Sequence, residues 1–271
     1  MYAFDYHRAK SIAEAAEQLT ANDENKILAG GQTLIPTLKQ RLAMPATLID
    51  IGSIAELHFI RAEGDAIIIG AATPHAEVAA ATDVKKHNPA LAHLAGEIGD
   101  PAVRHRGTIG GSLANNDPAA DYPAAALALD AKIQTNKRLI EADVFFKGMF
   151  ETTLEEDEII TDITFPHPSK AAYVKFPNPA SRYAMVGVFV ADTPAGIRVA
   201  VTGAGAEGVF RVKEMEDALT KNWSPDAIAD IKVPEDKLLS DLHGAADYRS
   251  HLITVMAKRA VVATLQEPAV A

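Results

Sequence analysis

Cysteine is missing altogether from the 271 residues, and that one absence removes several chemistries. The chain can form no disulfide, present no thiolate nucleophile, build no Cys-ligated zinc site and hold no iron–sulfur cluster of its own. Dense Lys/Arg runs are missing too, and the net charge is −10. That argues against nucleic acid or an anionic membrane as the main partner. An anionic cofactor would have to be held by backbone amides and a few local cations. No run approaches the length of a membrane span, and the N-terminal MYAFDYHRAKSIAEAAEQL lacks the apolar centre of a signal peptide. The expected location is therefore the cytoplasm. The nine histidines lack HExxH spacing, and no GxSxG elbow occurs.

Apolar residues make up 48% and charged residues 23%, an ordinary soluble composition with room for two or three small domains. The most informative stretch is Ala29-Gly30-Gly31-Gln32-Thr33. Lys26-Ile27-Leu28 before it reads as a short buried strand. Thr33 to Leu42 after it reads as a helix, with Leu34, Leu38 and Leu42 at steps of four and Pro36 near its start. Strand, paired glycines, hydroxyl and helix together can hold an anion, because glycine permits close backbone approach and the first helical N–H groups lack intrahelical partners. The same chemistry recurs about eighty residues on, at Thr108-Ile109-Gly110-Gly111-Ser112. Arg104, His105 and Arg106 precede this second loop. The two loops read either as a two-sided grip on a diphosphate or as unrelated tight turns.

Along the chain, Ser11-Ile12-Ala13-Glu14 matches a capping box and opens a helix. The strand at 26–29, the helix from Thr33 and a strand at 46–51 form a β-α-β unit, so a first lobe spans 1–53. A second lobe, 54–168, contains strands at 57–62 and 66–71, helices at 74–84, 89–98 and 119–129, and strands at 131–135 and 159–165. Pro166, Pro168, Pro177 and Pro179 mark a boundary. A third lobe, 169–271, has strands at 171–176, 185–191 and 197–201, then helices at 212–219, 225–231 and 247–265. The expected class is α+β: two N-terminal α/β lobes, then a three-stranded antiparallel sheet with helices.

Three motifs are ambiguous. Asp121 could accept hydrogen bonds from ribose hydroxyls, or simply favour the start of a helix. Gly203-Ala204-Gly205-Ala206-Glu207-Gly208 fits GxGxxG, but no acidic strand end follows about twenty residues later, so it reads as a sheet-to-helix connection. His75-Ala76-Glu77 matches the opening of a zinc-deaminase signature whose cysteine pair cannot exist here.

AGGQTLIP, GDPAVRHRGTIGGSLANNDPAADYPAA and DLHGAADYRSHLITVMAKRA together resemble the FAD-binding medium subunit of molybdenum hydroxylases, end to end. The carbon monoxide dehydrogenase branch is most similar, and xanthine dehydrogenases carry a related flavin domain. The resemblance implies FAD as cofactor, with its diphosphate between residues 29–36 (Ala29, Gly30, Gly31, Gln32, Thr33, Leu34 and Pro36) and 108–112 (Thr108, Ile109, Gly110, Gly111 and Ser112). It further implies Asp121 on the ribose side, Ile160 against the cofactor, and Lys175 and Tyr183 near the flavin ring. His105 and Ser112 stand where Asn is usual or frequent in the family.

The resemblance also implies partners: a molybdopterin-binding large subunit and an iron–sulfur small subunit. Electrons would pass from the clusters through FAD to NAD or a quinone, and the missing cysteines suit that division. Two other readings stay open at this point, a free-standing NAD(P)-dependent oxidoreductase using the 203–208 glycines and an assembly subunit without cofactor.

Overall fold

A computed structural model describes residues 1–265. The N-terminal lobe runs β1 (Asp5–Arg8), α1 (Ile12–Thr20), β2 (Lys26–Leu28), α2 (Leu34–Lys39) and β3 (Thr47–Asp50). Its sheet has the order β1-β3-β2, with both outer strands parallel to β3. The β-α-β unit is therefore present, with the additional strand β1 on its far side. Ser11 caps α1 by accepting from the Glu14 N–H at 3.1 Å, whereas the Glu14 carboxylate reaches back to the Lys10 N–H at 2.8 Å. The second helix is shorter than its leucine spacing suggests, because Arg41 turns into the left-handed region at φ 60°.

The second lobe starts with the hairpin β4 (Ile60–Glu63) and β5 (Ala66–Gly70). The helices α3 (His75–Ala80), α4 (Thr82–His87), α5 (Pro89–Gly96), α6 (Pro101–Arg106), α7 (Ile109–Asn115) and α8 (Tyr122–Ala128) follow. Next come β6 (Lys132–Thr135), β7 (Leu139–Glu141), the short α9 (Ala142–Phe145), the small hairpin β8 (Phe146–Gly148) and β9 (Glu151–Thr152), and β10 (Ile160–Pro166). The main sheet is antiparallel throughout, in the order β4-β5-β10-β6-β7. Every residue of α8 is buried. Its sequence YPAAALA is apolar all round, and small alanines let sheets and helices approach it from several sides. Pro123 lies in its first turn, where the missing N–H costs no intrahelical bond.

The third lobe carries β11 (Lys170–Pro177), β12 (Ala184–Thr193), β13 (Gly196–Thr202) and the two-residue β14 (Phe210–Arg211) in sequential antiparallel order. The three long strands match expectation, and β14 adds a stub at one edge. Helices α10 (Lys213–Lys221) and α11 (Ala246–Leu265) pack on one face through Val188, Val190, Met215, Ile253 and Met256. The expected helix at 225–231 is a 3₁₀ turn, Pro225–Ile228. The other face of this sheet joins the second lobe, so that Tyr173, Phe189, Ala191 and Ala200 share a core with Ile67, Tyr122 and Ile163.

Candidate cofactor site

The first glycine loop joins β2 to α2. Gly31 holds φ 72°, a conformation that a Cβ disfavours. This turn points a run of donors outward: the backbone N–H groups from Gly30 to Leu34 make no hydrogen bond to protein among the described residues. Pro36 has no N–H, so it sits in the first helical turn at no loss. Thr33 is the N-cap of α2, yet its hydroxyl makes no capping bond and stays uncommitted.

The second loop is built differently. Asp100 caps α6 by accepting from Val103 N–H at 2.9 Å, with Pro101 at the first helical position, and α6 delivers the chain to Gly107. Thr108 then caps α7, its hydroxyl accepting from Gly111 N–H at 3.2 Å. The N–H of Ile109 donates to Thr73 O, that of Gly110 to Ala71 O and that of Ser112 to Thr108 O. A Cβ on Gly110 would lie 2.5 Å from Ala71 Cβ and 2.8 Å from its carbonyl oxygen, so this glycine exists for close packing on the end of β5. The loops meet at Gly30, where a Cβ would collide with the Arg106 carbonyl oxygen.

Between the loops lies a cavity of about 630 Å³, within the ordinary range of small-molecule sites. Ala29, Gly30, Gly31, Gln32, Thr33 and Leu34 line one side, and Thr108, Gly111 and Ser112 the other. The β11–β12 connection closes the mouth with Ser181, Arg182 and Tyr183, and Asp121 and His75 complete the wall. The remaining expected residues lie outside it. Pro36 borders an adjoining recess on the far side of the first loop, with Lys39, Asp50 and Arg106. Ile109 and Gly110 are buried behind the wall, and Ile160 sits in the core. The Lys175 ammonium is buried behind Asp121, 3.0 Å from its Oδ1, and donates to Glu97 O at 2.7 Å.

Three cations before the second loop do not converge on the cavity. The Arg104 guanidinium donates to Ile98 O and Gly99 O, Arg106 faces the adjoining recess, and His105 lines neither space. Gly203 to Gly208 does not form a dinucleotide loop. It runs from β13 into the stub β14, and each of three amides already has a protein acceptor: Gly203 N–H on Pro118 O, Ala206 N–H on Lys237 O and Gly208 N–H on Gly205 O.

Burial pushes the Asp121 carboxyl above its ordinary range, and Lys175 and the Tyr173 hydroxyl pull it back. In the sequence His75 stands out only as the first residue of the zinc-deaminase signature. Burial and the nearby Arg104 charge lower its imidazole to about 4, so it is neutral, and its Nδ1 has no protein partner. Its ring lies 5.3 Å between centroids from Tyr122, tilted at 48°, and abuts Gly107.

A cavity walled by open amides and a buried carboxylate suits a dinucleotide cofactor, and the comparisons identify the family. Residues 2–168 match the family described as FAD binding domain in molybdopterin dehydrogenase, and the chain belongs to it. It is thus an FAD-binding oxidoreductase subunit of the molybdenum hydroxylase type. The chain is 35% identical to the nicotine 6-hydroxylase medium subunit of Paenarthrobacter nicotinovorans, covering 96% of each. It is 36% identical to the carbon monoxide dehydrogenase medium chain of Hydrogenophaga pseudoflava, covering 95% of this chain and 96% of that one. A solved structure of carbon monoxide dehydrogenase from that organism superposes with a TM-score of 0.88 at 36% identity, covering 97% and 98% of the two chains. No helix among the described residues is long and apolar enough to cross a membrane.

Proposed function

We propose that this chain is an electron relay within a larger complex. It would take electrons from iron–sulfur clusters on a small partner chain and pass them through FAD to an acceptor such as NAD or a quinone. A separate large subunit would carry the molybdopterin. Support for the division comes from the absence of cysteine and from relatives named as medium subunits or chains.

The observation that carries the FAD reading is the open run of amides from Gly30 to Leu34 on the wall of the cavity. Backbone N–H groups turned toward one space favour a phosphate anion. We place the diphosphate over this first loop, with the Thr33 and Ser112 hydroxyls beside it. Asp121 takes the sugar hydroxyls, and Tyr183, at the mouth, covers the ring. Ile109, Gly110, Ile160 and Lys175 support these groups from behind. When bound, FAD supplies the redox chemistry, accepting and releasing electrons one or two at a time. The protein's part is to orient it, neutralise its diphosphate and limit water at the mouth.

Titrating the purified chain with FAD, followed by flavin absorbance and fluorescence, tests this directly. Stoichiometric uptake with protection of residues 29–34 from hydrogen exchange is the expected result. FAD uptake that leaves those amides exchanging as before would move the diphosphate elsewhere.

A further inference from the structure

Asp121 uses its two oxygens unequally. Oδ1 takes both protein partners: the Tyr173 hydroxyl donates to it, and the Lys175 ammonium lies 3.0 Å away. Oδ2 accepts no hydrogen bond from protein among the described residues, while Asp121 forms part of the cavity wall. The residue is 4% exposed overall, yet Oδ2 is not sealed in the protein interior, so it is open to a hydroxyl donor arriving in the cavity.

Both residues on Oδ1 come from β11, two positions apart and so on one face of the strand. They lie past residue 168, where the family match ends. The same sheet fixes the backbone that carries Asp121. The Thr202 hydroxyl lies 3.0 Å from Pro118 O and 2.6 Å from Ala120 O, and Gly203 N–H donates to Pro118 O at 2.8 Å. On β12, a Cβ at Gly187 would collide with the Tyr173 hydroxyl, so a glycine leaves the room that hydroxyl needs. Lys175 is tied to the second lobe by Glu97 O as well.

We propose that Tyr173 and Lys175 are positioning residues for the cofactor, holding Oδ1 of Asp121 so that Oδ2 is presented to the cavity as the acceptor for a sugar hydroxyl of the bound nucleotide. The proposal rests on the FAD reading above. It makes the C-terminal sheet a working part of the site, through residues beyond the 2–168 family match.

The charged and titratable groups around Asp121 are Lys175 and Tyr173 on β11, Glu97 after α5, Tyr122 beside it on α8, and Asp117 and Tyr183 toward the mouth. Among them, the Tyr173 hydroxyl and Lys175 ammonium favour the ionised carboxylate, and Glu97 opposes it. Removing either favourable group makes Asp121 easier to protonate. Its acceptor role would then be lost at a higher pH.

The test is FAD affinity of the full chain between about pH 5 and 9, since the usual carboxylate range and neutrality both fall inside it. Tyr173→Phe should bind FAD roughly tenfold more weakly at neutral pH, the size of one lost charge-assisted hydrogen bond. Its affinity should also begin to fall at a higher pH than in the wild type. Lys175→Met should move that fall further. Asp121→Asn should flatten the profile, and Tyr173→Phe should then add nothing in that background. Equal affinity and pH profile in Tyr173→Phe, or the same fold loss at every pH and in the Asp121→Asn background, would overturn the proposal. If the wild type takes up no FAD, the cofactor reading fails and the positioning of Asp121 is judged by carboxyl ¹³C NMR. The Asp121 midpoint should rise in Tyr173→Phe, and an unmoved midpoint overturns the role.

Discussion

The two glycine loops look alike in letters and differ in what their atoms do. In the first, amides from Gly30 to Leu34 are open and the Thr33 hydroxyl is uncommitted. In the second, amides from Ile109 to Ser112 bond to protein and the Thr108 hydroxyl is a helix cap. Gly31 is a glycine for its positive φ, and Gly110 is one because Ala71 leaves no room for a Cβ. The lesson is that a Gly-Gly pair signals either open donors or close packing, and only the hydrogen-bond accounting tells which. On the proposed reading, the first loop grips the diphosphate and the second forms the rigid wall behind it.

Substitutions can break that contrast. Gly110→Ala should have the largest effect, a loss of about 3 kcal/mol in stability from forced overpacking against Ala71. Urea unfolding measures it, and an unchanged midpoint would contradict the packing role. Acid should reveal the wall next. His75 beside Gly107 is neutral when folded, with its imidazole lowered from 6.5 to about 4. The unfolded chain therefore binds a proton that the folded chain does not. Stability from this group is intact above the unfolded value and falls by about 3 kcal/mol as pH drops from 6.5 to 4. Unfolding of His75→Asn over the same range should lack that component.

Gly31→Ala should be milder for the fold, about 1–2 kcal/mol from the left-handed backbone, with FAD affinity reduced as the open amides shift. The sharpest contrast is between the two threonines. Thr108→Val should lower stability by about 1 kcal/mol through the lost cap. Thr33→Val should leave stability within about 0.5 kcal/mol, because its hydroxyl holds nothing in the fold, and should weaken FAD binding severalfold. Equal stability losses in the two variants would erase the distinction between grip and wall.

Local signals were legible in the sequence. Ser11 as a cap, Pro123 in a first turn and the apolar runs of the long strands are decided within a few residues of chain. Nothing in the sequence marks β1, because DYHR is polar and mostly exposed, giving no apolar pattern. Helix α6 spans only Pro101–Arg106, too short for an apolar period to show. In the site, the glycine loops stood out because their geometry is local. Tyr173 and His75 did not, since their roles come from tertiary contact: Tyr173 is 52 residues from the carboxylate it meets. Nor could sequence tell that Lys175 lies behind Asp121 and away from the cavity wall.

The shared core across the second and third lobes bears on how this protein can be taken apart or recombined. The fully buried helix α8 packs against the second lobe and against β12 and β13. A fragment ending at residue 168 would expose one flank of α8 and remove Tyr173, Phe189, Ala191 and Ala200 from their neighbours. A chimera exchanging the flavin module between relatives must therefore carry the C-terminal sheet with it. The family match ends at residue 168, whereas similarity to the medium subunits runs over about 96% of the chain, as that shared core requires.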